Sequence, residues 1–168
     1  MFTLALLLFL QAGVPPQREI VGPYTFRDDQ GQTTKVILKN GLTLIVREEH
    51  AVSLASITTH VKAGYFDEED RLSGISHVLE RMIFNGTSRR SAAEIAGETR
   101  SLGGILDTYT SYDRTVFYTA VPATNVLAAL DIQADALLHS SFDAEELKRE
   151  IELAVDESLR LAQNAPRI

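Results

Sequence analysis

Short apolar runs broken by turn residues open the patterned part of the chain, and longer runs of helical period follow. Lys35-Val36-Ile37-Leu38 and Leu42-Thr43-Leu44-Ile45-Val46 flank Asn40-Gly41, a dipeptide suited to the left-handed positions of a tight turn, and so predict a β-hairpin. Residues 53–61 are rich in β-formers and run into Gly64, which predicts a third strand and a turn. From Ile75 the period changes. Ile75, Val78, Leu79 and Met82 recur at helical spacing and predict a helix, capped by Ser73, whose apolar members pack into the core. Ser91 and Glu94 form a capping box for a helix that ends at Gly103-Gly104. Residues 106–110 and 115–121 predict two further strands, joined through Ser111-Tyr112-Asp113-Arg114 and stopped by Pro122. A helix over residues 126–138 follows, and Asp143 with Glu146 caps a last long helix to about residue 162. Strands and helices in this order predict an α+β fold, a mostly antiparallel sheet packed against helices.

Composition narrows this picture at both ends. A length of 168 residues allows one domain with a core of its own. Residues 14–33 are polar, hold Pro15, Pro16, Gly22 and Pro23, and are expected as an extended arm or linker. Before them, residues 2–10 are nearly all apolar and lead into Gln11-Ala12-Gly13. That is too short to span a bilayer as a helix, so no stable membrane span is expected; it predicts a signal peptide over residues 1–13 and an exported, periplasmic or secreted protein. The net charge of −7 argues against a nucleic-acid partner, which needs clustered lysine and arginine. The absence of cysteine excludes thiolate ligands, a cysteine nucleophile and disulfides.

The candidate chemistry lies in Gly74-Ile75-Ser76-His77-Val78-Leu79-Glu80-Arg81-Met82-Ile83-Phe84-Asn85-Gly86-Thr87. Three and four residues apart on a helix, His77, Glu80 and Arg81 share one face. With histidine at 81 the run would read H-x-x-E-H, the inverted zinc motif in which two histidines hold the metal and the glutamate activates water. A guanidinium has no lone pair to give, so a cation stands where a ligand is expected. Glu150 and Glu157, seven apart, point from one side of the last helix. His60 is expected to be exposed rather than to replace the missing ligand, the sequence gives no argument for a role of His50 or His139, and no nucleophile elbow supports a serine hydrolase.

Residues 35–161 resemble the N-terminal domain of the pitrilysin-type, or insulinase-type, metallopeptidases, which include the mitochondrial processing peptidases. The resemblance rests on blocks in the family's order: Asn40-Gly41-Leu42, Ala63-Gly64 with Asp67-Glu68, the helix and its Phe84-Asn85-Gly86-Thr87 tail, the stretch from Leu102-Gly103-Gly104 to Thr110, and Phe142-Asp143 leading to Glu150 and Glu157. It implies that His77 and Glu157 are metal ligands, Glu80 the general base and Glu150 a supporting acid. It also implies that Asp107, Thr108 and Tyr109 lie on an edge strand that holds peptide, although the family commonly has Asn-Ala where this chain has Asp107-Thr108. Family members build a larger unit from two such halves, so residues 34–168 are expected to be the first half of one. Zinc is the implied cofactor, possible here only with the ligand set short of one histidine. Arg81 is expected to take over the metal's charge by pairing with Glu157 and with Glu80 or Glu150. The expected function is a non-catalytic or weakly active peptide-binding member, partnered by another such domain or subunit with an intact motif. The alternatives are an active zinc endopeptidase and a structural subunit of a larger complex.

Overall fold

The computed structural model describes Phe2–Thr3 and residues 24–164. The expected signal peptide, apart from Phe2–Thr3, and residues 14–23 of the expected arm lie outside the described residues. The strands are β1 (Phe2–Thr3), β2 (Tyr24–Gln30), β3 (Thr33–Leu38), β4 (Thr43–Arg47), β5 (Leu54–Val61), β6 (Ile105–Thr110) and β7 (Thr115–Pro122). The helices are α1 (Ile75–Ile83), α2 (Ala92–Ser101), α3 (Val126–His139) and α4 (Ala144–Asn164). The fold is α+β with antiparallel sheets, as the pattern predicted.

The Asn40-Gly41 hairpin forms between β3 and β4, with Gly41 at φ 86° and the Asn40 side chain accepting from the Leu42 amide at 3.1 Å. The polar stretch before it is more ordered than its composition suggested. From Tyr24 the expected arm is β2, paired with β3 to complete a three-stranded sheet, and Arg27, Asp29 and Thr34 bond one another across its surface. A strand of this polarity is possible because one face of an antiparallel sheet can stay in water.

The second sheet has the order β1-β5-β7-β6, which places β6 at its edge. Residues directly opposite in an antiparallel pair point to the same face, so the register sorts the sheet into two surfaces. Ile57, Thr59 and Val61 share one with Thr119, Phe117 and Thr115, and with Leu106, Thr108 and Thr110. Thr58 and His60 share the other with Tyr118, Val116, Asp107 and Tyr109. The first surface carries the core, where Ala55, Ile57, Val121, Val126 and Ala129 pack together and Leu44 and Val46 of the other sheet close over them. Gln133 of α3 is buried there, accepting from Thr119 at 2.8 Å and donating to Thr59 at 2.7 Å, so its amide is fully occupied in an apolar setting.

Helix α1 departs from expectation at two positions. Val78 and Met82 are buried as predicted, but Leu79 is exposed, because its side of the helix looks over an open cavity. Ser73 does not cap the helix. Gly74 takes the cap position at φ 91°, and Glu68 reaches back to accept from the amides of Gly74 at 2.7 Å and Ser76 at 2.8 Å. The α2 capping box of Ser91 and Glu94 forms as the sequence implied.

Candidate active site

Helix α1 crosses the core surface of the second sheet beside β6 and is crossed in turn by α4. Three elements therefore deliver polar side chains to one place. From α1 come His77, Glu80 and Arg81, from β6 come Thr108 and Thr110, and from α4 come Glu150 and Glu157.

Glu80 is buried, with 5% of its surface exposed. Its Oε1 accepts from the Thr108 hydroxyl at 2.6 Å and its Oε2 from the Thr110 hydroxyl at 2.6 Å, while His77 Nδ1 lies 3.4 Å from Oε2. Both threonines point inward because they alternate with Asp107 and Tyr109, which face the opposite surface. Of the three β6 residues expected to meet peptide, only Thr108 is on the Glu80 side. His60 shares the surface opposite Glu80 and lines a separate depression with Lys62, Phe66 and Arg114, so it is remote from this site. Burial and the Arg114 charge hold the His60 imidazole below its ordinary 6.5.

Arg81 is organised by α4. Its Nε donates to Glu150 Oε2 at 2.5 Å, and Nη1 lies 3.7 Å from Glu157 Oε2. Glu150 is buried at 5% exposure, and its other oxygen accepts from Asn85 at 2.9 Å. Burial works to raise the Glu150 carboxyl; the Arg81 and Asn85 hydrogen bonds outweigh it, so Glu150 lies below its ordinary 4.5. The expected pairing of Arg81 is thus corrected in emphasis. Glu150 is its close partner and Glu157 a distant one, half exposed, while Glu80 is held by β6 instead. Seven residues separate Glu150 from Glu157, and the inner of the two turns is the one that touches the guanidinium.

Zinc, implied by the resemblance, does not fit these residues. His77 Nε2 and Glu157 Oε2 stand 3.6 Å apart, but the third donor a catalytic zinc takes is replaced by a guanidinium beside that same carboxylate oxygen. Among the described residues no group of three or more histidine, aspartate or glutamate side chains is placed to hold a metal ion.

Two contributors escaped sequence reasoning. Tyr65 follows Gly64 in a loop seated on the β6–β7 turn, and its phenol is raised above the ordinary 10.0 by burial and by the Glu80, Glu68 and Glu157 carboxylates. Its position next to the charged cluster comes from loop packing, for which the sequence carries no periodic signal. Glu68 is the other. Burial raises its carboxyl, the Gly74 and Ser76 amides outweigh burial, and Glu68 is held below its ordinary 4.5. Glu68→Ala is expected to lower stability by about 1–2 kcal/mol, the loss of a helix cap. Because the carboxyl is lowered in the folded state, that contribution is present above 4.5 and fades as pH falls below it. Urea unfolding at neutral and acidic pH measures both; a native-like midpoint at neutral pH contradicts the capping role.

Beside Glu80, the same cleft opens into a cavity of about 300 Å³ lined by Leu79, Ile83, Phe117, Leu137 and Phe142. An apolar cavity beside a buried carboxylate is a place where a bound chain could lodge a large side chain.

The family model described as Insulinase (Peptidase family M16) matches residues 43–167. The chain is 35% identical over 128 residues to a protein of Bacillus subtilis named uncharacterized zinc protease YmxG, covering 76% of this chain and 31% of that one. It is 35% identical over 126 residues to the probable mitochondrial-processing peptidase subunit beta of Arabidopsis thaliana, covering 75% and 24%. With the cytochrome b-c1 complex subunit 1 of Caenorhabditis elegans it shares 30% over 119 residues, covering 71% and 25%. A crystal structure of a protease from Helicobacter pylori superposes with a TM-score of 0.74 at 25% identity, over 79% of this chain and 32% of that one. The chain therefore spans between a quarter and a third of the length of these relatives.

Proposed function

Because the chain belongs to the insulinase family, peptidase family M16, we propose that it is a peptide-binding member with little or no hydrolytic activity, in which Arg81 supplies the positive charge a metal would carry. The observation that carries this reading is the Arg81 guanidinium, seated 2.5 Å from buried Glu150 and 3.7 Å from Glu157. Carboxylates crowded in a cleft repel one another and take up protons unless a cation is present. A metal answers that need in a hydrolase, and here a covalently attached cation does. The geometry still suits an extended peptide. β6 is an edge strand of the described sheet, whose outer backbone groups can pair with an added chain once the Thr108 amide leaves the Asp107 carboxylate, and an apolar cavity lies beside Glu80.

The relatives support a working unit larger than this domain. One is named as a subunit of a processing peptidase and another as a subunit of a cytochrome complex. In this reading the chain completes a chamber with a second domain or subunit of the same family that carries an intact metal motif. The apolar run at residues 2–10 supports export of the protein.

Zinc content per chain, measured on purified and metal-supplemented protein with Arg81→His alongside, tests the proposal. The native chain is expected to hold none and the variant about one zinc per chain, the number a single catalytic site takes. Stoichiometric zinc in the native chain sinks it. The zinc protease name of the Bacillus relative favours a second reading, an active endopeptidase. Peptide hydrolysis by the native chain that a chelator abolishes would establish that one.

A further inference from the structure

Arg81 is not the only departure at this site. Both oxygens of Glu80 are already engaged, each by a threonine hydroxyl at 2.6 Å, at the short end of the range for hydrogen bonds to a carboxylate. Thr108 makes the contact to Oε1 and is itself fixed, since its amide donates to Asp107 Oδ1 at 2.9 Å and its strand is paired through Phe117. A β-branched residue on a strand has few rotamers, so the hydroxyl is directed at Glu80 with little freedom to turn away. Alanine at 108 would have no hydroxyl to offer.

We infer that Thr108 is a positioning residue that locks the Glu80 carboxylate against β6, independently of Arg81, so that restoring a metal ligand at 81 does not by itself restore hydrolysis. The inference rests on the reading of Arg81 given above and adds a second, separable block to it. Each carboxylate oxygen keeps a second lone pair, so the lock acts through direction: with Oε1 and Oε2 both tied to β6, the carboxylate turns toward a molecule in the cleft only by giving up one hydrogen bond. The hydroxyl of Thr108 is the one to remove, because Thr110 leaves Oε1 free. Its neighbour across the strand pair is buried Phe117, which supplies no replacement donor from its side chain.

The test compares Arg81→His with Arg81→His/Thr108→Ala and Arg81→His/Thr108→Ser, reading zinc content and the hydrolysis of an unstructured peptide as separate kcat and KM. Thr108→Val, close to threonine in shape, takes the place of alanine if that variant folds poorly. The expected result is equal zinc in all three and a kcat about tenfold or more higher in the alanine variant, the scale of one charge-assisted hydrogen bond, with KM little changed. Serine, which keeps the hydroxyl, returns kcat to the Arg81→His level. A measurable kcat that is equal across the series overturns the lock while leaving the Arg81 reading intact. Zinc in the native chain removes that reading, and Thr108→Ala alone then decides the lock by the same rise in kcat or its absence. If Arg81→His takes up no zinc, or if no variant hydrolyses the peptide, crystal structures of Thr108→Ala and Thr108→Ser decide. A Glu80 carboxylate swung off β6 only in the alanine variant upholds the lock, and the same position in both overturns it.

Discussion

Replacing Arg81 with leucine is expected to cost about 3 kcal/mol of folding stability at neutral pH, the low end of what breaking a buried ion pair costs. The low end applies because Glu150 is buried while about a third of the Arg81 side chain is exposed. The loss comes from leaving the buried Glu150 carboxylate with Asn85 as its hydrogen-bond donor and the Arg149 guanidinium at 4.0 Å. Adding Glu150→Gln removes the stranded charge and keeps an acceptor for Asn85, so the double variant is expected to recover at least about 1 kcal/mol. The sign with pH follows from the native carboxyl being lowered. In the native chain the contribution of Glu150 is present above its ordinary 4.5 and is lost as pH falls below that. Without Arg81, burial raises the same carboxyl against only the Asn85 hydrogen bond and the Arg149 charge, so the carboxyl is lowered less and the variant loses less on acidification. The gap between native and Arg81→Leu, measured by urea unfolding, is therefore expected to narrow from neutral pH to about pH 3. A gap that stays constant, or a double variant no better than the single one, shows that Arg81 stabilises by packing alone.

The second large effect is expected from the packing of a glycine. Gly64→Ala should lower stability by about 3 kcal/mol, the upper range for forcing an extra carbon into a packed site. A Cβ at Gly64 would lie 2.3 Å from the Ser111 carbonyl oxygen, 2.6 Å from the Arg114 nitrogen and 2.9 Å from the Tyr112 carbonyl carbon. All three are backbone atoms that no rotamer change can move. The Gly64 backbone, at φ −157° and ψ −162°, is extended and open to any residue, so the cost is steric and not conformational. The contact matters to the site because Tyr65 and Phe66 donate their amides to Ser111 and Tyr112, tying the loop that carries Tyr65 to the end of β6. Thermal unfolding is expected to shift down by roughly 10 °C. Gly97→Ala is the control with the opposite sign, since a Cβ there meets nothing within 4 Å and alanine favours the α2 helix by up to about 1 kcal/mol. If Gly64→Ala melts like the native chain, the turn and loop are not seated as described.

What could be foreseen depended on the range over which each signal acts. The Asn40-Gly41 turn and the Ser91–Glu94 box are local, formed by residues a few positions apart, and both formed where they were expected. The cap of α1 was misplaced for the same reason, since Glu68 is eight residues from the Ser76 amide it accepts and no short motif announces it. β2 was missed because its residues are polar on nearly every position, and only pairing with β3 shows that they form a strand.

The sequence by itself determined the order of elements from β3 onward and the presence of a guanidinium where the motif calls for an imidazole at 81. Hydrophobic period and residue chemistry are properties of the chain that no packing can alter. Tertiary structure alone decided which carboxylate Arg81 serves and what holds Glu80. Those partners lie 69 residues away on α4 and 28 and 30 residues away on β6. Spacing placed Glu150 and Glu157 on one side of a helix, but the crossing of α1 and α4 chose Glu150 as the close partner. The pleat of β6 turned Thr108 and Thr110 toward Glu80 and Asp107 and Tyr109 away from it, a choice set by the register of β6 on β7 and not by the residues of β6 themselves.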